Sequence, residues 1–174
     1  MNKVIRTALL LLALFALPVM AFADAPVMLV ELPESAQMVE NVEFDNGDFI
    51  QTYQLDSGVT VQLLRYTGFT MAMDELIASD WPVNAGVEMQ PMTELSGYPA
   101  QHAHILQAYD ESGYPVKADG SAGGVMAIDL VLVNADNTAL IVQIIDRGGE
   151  GTDAAVKAII ESLQVQGGDH AEVG

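Results

Sequence analysis

Two long apolar segments joined by a short polar turn constrain the fold of this chain more than any other feature of its sequence. The segments 125–133 (VMAIDLVLV) and 139–145 (ALIVQII) flank the turn NADN at residues 134–137. Apart from Asp129 and Gln143, every position in both segments is apolar. Strands of this kind are buried on both faces, in a sheet that is covered on both sides. The pattern therefore predicts an antiparallel hairpin at the centre of such a sheet.

Shorter patterns predict the remaining strands of the sheet. Residues 49–55 and 59–63 alternate in polarity on either side of the turn DSG, which is typical of a hairpin. Further strands are predicted at residues 25–32, 37–44, 87–96 and 100–109.

Two segments have helical rather than strand spacing. Met73, Leu76 and Ile77 predict a helix over 71–80 that ends before Pro82. A second helix is predicted to start at Thr152 and to continue through the letters IIESLQV, with an apolar stripe of Val156, Ile159, Ile160 and Leu163. Hairpins combined with amphipathic helices predict an α+β fold, in which a central antiparallel sheet carries at least two packed helices as an α/β sandwich.

The two ends of the chain differ from the segment between them. Residues 1–23 have a basic head, an apolar run and the small residues Ala21 and Ala23 at the exit, which is the pattern of a secretory signal peptide. Residues 24–165 then form a single α+β domain, and the polar residues 166–174 are predicted to be a disordered acidic tail. We therefore expect a periplasmic or secreted protein with no membrane association after signal cleavage.

Charge and cysteine content exclude several classes of function. All 24 Asp and Glu residues follow the predicted signal peptide, and only Arg65, Lys117, Arg147 and Lys157 oppose them there. Such a surface repels nucleic acids and anionic lipid headgroups, and it favours cations and basic partners. The chain has no cysteine, so disulfides, thiol nucleophiles and thiolate metal sites are excluded.

The order of elements, together with two short motifs, resembles the PsbP-like fold family, which includes the DcrB-like exported bacterial proteins. The resemblance covers residues 49–165 and is carried by the strand start SGYPA at 96–100 and the helix end SLQV at 162–165. It implies an α/β sandwich with a central antiparallel sheet, and binding or accessory roles without shared catalytic residues. The acidic stretch before Asp48 has no counterpart in it.

His102 and His104 are candidate metal ligands. On a strand, side chains at i and i+2 share one face, so both imidazoles can approach a single zinc or copper ion. Further ligands would come from neighbouring segments, and the candidates are Glu94, Asp110, Glu111, Asp129 and His170. Two ordinary strand histidines remain the alternative interpretation.

No catalytic motif is apparent in the sequence. Ser112 and Ser121 lie in a long polar loop, residues 110–124, within conceivable reach of a histidine, so a hydrolase with a loop serine is one alternative. The leading hypothesis is an exported, non-enzymatic binding or accessory protein without a cofactor, whose partner is a protein or a small molecule bound by this loop and the nearby sheet end. The periplasmic zinc- or copper-binding protein using His102 and His104 is the other alternative.

Overall fold

The computed structural model describes residues 25–80, 85–116, 123–148 and 152–168. The predicted signal peptide at 1–23, residues 117–122 of the long loop and the end of the predicted tail at 169–174 lie outside the described residues. None of the helices in these described ranges combines the length and the apolar character needed to cross a membrane.

An antiparallel sheet with two helices packed on it makes up the fold, which confirms the α+β sandwich. Along the chain the elements are β1 (Val27–Leu29), β2 (Gln37–Glu43), β3 (Phe49–Gln54), β4 (Thr60–Thr67), α1 (Met73–Asp80), β5 (Gly86–Gln90), β6 (Glu94–Leu95), β7 (Tyr98–Tyr109), β8 (Gly124–Ala135), β9 (Thr138–Asp146), α2 (Thr152–Ser162) and β10 (Gln164–Gln166). In space the large sheet has the order β2-β3-β4-β9-β8-β7-β5, while β6 pairs with β7.

The central hairpin lies where the sequence predicts it. β8 and β9 occupy neighbouring positions inside the sheet and are joined by the tight turn at Asp136 and Asn137, both of which have positive φ (46° and 59°). Most of their side chains are buried. Two successive residues with positive φ are typical of a type I′ turn, whose twist matches that of the two strands in a hairpin with a two-residue loop.

The helices cover opposite faces of the sheet. Val156, Ile159 and Leu163 of α2 pack on one face, here called the α2 face, against residues that include Val131, Val142 and Leu140. Met73 and Leu76 of α1 pack on the other face. The strands β7, β8 and β9 therefore send alternate side chains to two separate cores, because neighbouring residues in a strand point to opposite sides.

The end of the domain differs from the sequence prediction. α2 ends at Ser162 rather than continuing through Val165, and residues 164–166 form β10, which pairs antiparallel with β1. Gln166, predicted to begin the tail, is opposite Val27 in this pairing. The hydroxyl of Tyr98 also donates to the carbonyl of Gly167 at 3.1 Å. Hydrogen bonds to β1, a segment remote in sequence, replace the last helical turn.

Candidate functional site

His102 and His104 both lie on the α2 face of β7. In the register with β8, His102 is opposite Val131 and His104 is opposite Asp129. Val131 belongs to the core under α2, so its cross-strand partner His102 faces the same side. The i, i+2 spacing thus brings the two imidazoles to one face, next to the single carboxylate of β8.

Asp129 accepts hydrogen bonds from both histidines. His102 Nε2 lies 2.8 Å and His104 Nδ1 lies 3.2 Å from the same atom, Asp129 Oδ1. An ionised carboxylate is only an acceptor, so both of these ring nitrogens carry protons. The side chains of His102 and Asp129 are 11% exposed and that of His104 is 33% exposed, so His104 is the ring more open to solvent.

The two histidines explain how a carboxylate is tolerated in a central strand. Burial raises the pKa of Asp129, but hydrogen bonds from His102 and His104, together with their charges, lower it, and the net pKa is below the usual value of 3.8. A buried carboxylate without such donors would be strongly unfavourable. Asp129 is thus ionised and held in place from β7.

A pocket of about 550 Å³ opens above this cluster, between the sheet and α2. It forms where the α2 face changes from apolar to polar: beyond Val131 on β8 and Ile144 on β9, the next positions on that face are Asp129 and Asp146, and His104 lies opposite Asp129. Residues of α2 close one side, and the segment after β5 closes another. The lining residues are Gln90, Pro91, Met92, His102, His104, Ala127, Asp129, Asp146, Asp153, Val156, Lys157, Ile160 and Glu161.

Asp146 is the second buried carboxylate of the pocket, and sequence reasoning missed it. It is 8% exposed, and its Oδ1 accepts the backbone N–H of Gly148 at 2.8 Å. Asp146 is the last residue of β9, and a polar residue at the end of a strand does not by itself indicate a functional site. The signal in the sequence was its spacing: Asp146 lies two positions after Ile144, so the two side chains share one face of the strand. The strand register, in which Ile144 pairs with Asp129, appears only in the structure.

The predicted metal ligands are brought together only in part. Of the acids considered as partners for His102 and His104, Asp129 lies in the pocket, whereas Glu94, Asp110 and Glu111 do not line it. His170 lies outside the described residues. Within the described ranges, no group of three or more His, Asp or Glu side chains is arranged to hold a metal ion. Binding at these two nitrogens would replace both hydrogen bonds to Asp129.

The described residues 110–116 of the long polar loop do not line the pocket. Residues 110–116 fold back on β7, where Val116 N donates to Ala108 O at 2.9 Å and Gln107 Nε2 donates to Val116 O at 2.9 Å. Ser112 is not a pocket residue, and Ser121 lies outside the described residues. The structure therefore does not bring a described serine to either histidine.

Comparison with known proteins assigns no family. No family model matches the sequence, and no curated protein matches it significantly. Two similar solved structures are a protein from Bacteroides thetaiotaomicron VPI-5482 and LpqN, involved in cell envelope biogenesis, from Mycobacterium tuberculosis. Both are 12% identical to this chain; their TM-scores are 0.41 and 0.40.

The extent of the two structural matches differs. The first covers 80% of this chain but only 45% of the Bacteroides protein, so the chain spans less than half of that protein's length. The second covers 82% of this chain and 84% of LpqN. The PsbP-like resemblance is not confirmed by these structures, and the fold class rests on the strand order and the packing of the two helices.

Proposed function

We propose that the chain is an exported, non-catalytic binding or accessory protein that holds a small ligand in the pocket under α2. The observation that carries the proposal is the buried cluster of His102, His104 and Asp129 at the floor of an open pocket. Its site of action would be the periplasm or the exterior, as the secretory pattern of residues 1–23 predicts.

The buried polar cluster supports a binding role because charged side chains contribute less to the stability of a sheet interior than apolar side chains would. Replacing a buried charged cluster by apolar residues of similar volume is often neutral or stabilising. Here the same face is apolar at Ala100, Val131 and Val142 and becomes polar where the pocket opens. Open concave sites with a few convergent polar groups are the usual form of small-molecule binding sites.

The composition of the pocket supports a non-catalytic role over a serine hydrolase. None of its described lining residues carries a hydroxyl or a thiol. His104 has the Nδ1–H···carboxylate bond that orients a general base, but covalent acyl transfer also needs a nucleophile beside the ring. The acidic surface further disfavours nucleic acids and anionic membranes as partners.

Ligand binding is tested by NMR with three probes of one shape: benzylamine, benzyl alcohol and benzoate. The full-length chain is expressed with ¹⁵N labelling in a bacterial host and purified in its exported form. At least one probe should shift the amide signals of His104, Asp129 and Val156, and filling the pocket by Ala127→Trp should abolish that shift.

The control for this experiment is Val39→Trp, an equally large change at a position that is 61% exposed on β2 and outside the pocket. It should leave probe binding intact. If none of the three probes shifts the pocket amides, or if Ala127→Trp binds as the unchanged protein does, the pocket is not a ligand site and the proposal fails.

A zinc or copper site is the second candidate, because two imidazole nitrogens lie within 3.2 Å of one carboxylate oxygen. A metal ion would displace the two N–H protons, and His102, His104 and Asp129 would have to move apart to become its ligands, because these side chains are not arranged to hold an ion in the described structure. Calorimetric titration of the exported protein with Zn²⁺ or Cu²⁺ should then give one site that is lost in His102→Ala/His104→Ala and retained in the control Glu111→Ala. Weak binding that the double variant leaves unchanged would contradict it.

A further inference from the structure

Asp146 is a buried carboxylate with no ion-pair partner among the described residues. Its side chain lines the pocket and the residue is only 8% exposed. Within the described part of the chain, its one hydrogen-bond donor is Gly148 N, and no Lys, Arg or His nitrogen lies within 4.0 Å of it. Asp129, by contrast, has two histidine donors.

Arg147 is the nearest basic residue to Asp146 in sequence, and Lys157 is the described lysine of the pocket. Each has a partner other than Asp146. The Arg147 guanidinium lies over the ring of Tyr109, 5.6 Å from its centroid. Lys157 pairs with Glu161 at 3.8 Å, and its side chain is 74% exposed. Neither forms an ion pair with Asp146 within the described protein.

The remaining walls add negative charge and apolar surface. Asp153 and Glu161 are further pocket carboxylates, so that with Asp129 and Asp146 the acids of the described lining outnumber its one lysine, Lys157. Met92, Val156 and Ile160 contribute apolar side chains. Clustered charges of one sign beside low-dielectric walls raise the local concentration of the opposite ion. A volume of about 550 Å³ with apolar sides exceeds what a bare metal ion fills and suits a molecule with a carbon skeleton.

We infer that the pocket takes a small organic cation, an ammonium group carried on an apolar body, with the Asp146 carboxylate as its ionic partner. This inference rests on the proposed function and names the ligand class of the same site. The ammonium group donates hydrogen bonds to Asp146, and the apolar body packs on Met92, Val156 and Ile160. A charge-assisted hydrogen bond to a largely buried carboxylate is stronger than one between neutral groups.

The test compares affinities within the same probe series, by NMR titration at about 0.15 M salt, where surface charges are screened beyond about 8 Å. EDTA in the buffer removes metal ions. Benzylamine should bind at least about tenfold more tightly than benzyl alcohol, a difference of about 1.4 kcal/mol, and benzoate should bind most weakly. In Asp146→Asn, which keeps an acceptor for Gly148 N, the preference for the amine over the alcohol should fall to about threefold or less.

The matched control is Asp56→Asn, which removes the same charge from an exposed turn between β3 and β4. It should leave the amine preference unchanged. If benzylamine and benzyl alcohol bind equally well to the unchanged protein, the pocket binds ligands but does not select cations, and the inference fails while the proposed function stands. An equal loss of preference in Asp56→Asn and Asp146→Asn would also overturn it, since general charge attraction would then be sufficient.

Discussion

Asp129 shows how one residue can depend on partners that are remote in sequence. From the sequence alone, a carboxylate inside such an apolar strand is either at the rim of the sheet or hydrogen-bonded. The structure supplies two N–H donors from β7, 25 and 27 positions earlier in the chain. These hydrogen bonds also fix the orientation of both imidazole rings, so removing Asp129 affects the whole floor of the pocket.

Asp129→Ala should lower the free energy of unfolding by about 1–3 kcal/mol, because it leaves two largely buried N–H donors without an acceptor. Urea denaturation of the purified protein measures the change. Asp56→Ala, in an exposed turn, is the matched control and should change the free energy by no more than about 0.5 kcal/mol. Equal effects of the two substitutions would show that the Asp129 hydrogen bonds do not stabilise the fold.

The stabilisation by Asp129 should depend on pH in the acidic range. Its pKa is lowered in the folded protein because the hydrogen bonds from His102 and His104 outweigh the opposing effect of burial. A lowered folded-state pKa means that the unfolded chain binds the proton more readily, so the contribution is complete above the unfolded value of about 3.9 and is lost as the pH falls through the folded value.

Urea denaturation of the unchanged protein and Asp129→Asn at a series of pH values checks this dependence. The difference in unfolding free energy between them should shrink as the pH falls below about 4, where the unfolded chain takes up the Asp129 proton more readily than the folded protein does. A difference that is unchanged down to about pH 2 would contradict the lowered pKa.

At the level of elements, the predictions that succeed are those made from local patterns. The turn between β8 and β9 is determined by residues 134–137 themselves, since Asp and Asn tolerate positive φ better than most residues. The acidic stretch before Asp48 contributes β2, an edge strand exposed along its whole length. β10 was missed because a three-residue strand carries almost no pattern and forms only where β1 offers hydrogen-bond partners.

Asn137→Val should lower the free energy of unfolding by about 1–2 kcal/mol, because φ at this position is 59° and a β-branched residue is strained in the left-handed region. Thermal unfolding followed by circular dichroism measures the change. Asn137→Gly, which tolerates the same φ, is the matched control and should retain the stability of the unchanged protein or exceed it. A valine variant as stable as the glycine variant would exclude this turn geometry.

At the level of the whole molecule, the predicted removal of residues 1–23 would change the net charge. The formal net charge is −18, and the segment expected to be removed contains Lys3 and Arg6 but no acid. Cleavage would therefore make the released protein more acidic. Such a charge favours solubility and attracts cations to any concave surface on the molecule, which agrees with a cationic ligand for the pocket.

Expression of the full-length chain in a bacterial host should yield an exported protein that starts at Asp24, because Ala21 and Ala23 occupy the positions that signal peptidase reads. Intact mass measurement identifies the first residue. As a control, Ala23→Arg should block this processing and leave a longer product. Exported protein that retains Met1 would contradict the prediction.

The sequence by itself determined the fold class, because the periodicity of apolar side chains and the geometry of short turns depend on residues close together in the chain. The segments 125–133 and 139–145, which are apolar on both faces, indicated a central hairpin covered on both sides. Two amphipathic segments indicated helices packed on the sheet. The same sequence indicated that His102 and His104 share a face, since side-chain alternation is local.

Only the tertiary structure decided what those histidines contact. Strand register placed Asp129 opposite His104, and the packing of α2 left a pocket beside Asp146. Register and helix placement depend on the packing of the whole molecule, and no short stretch of sequence contains that information.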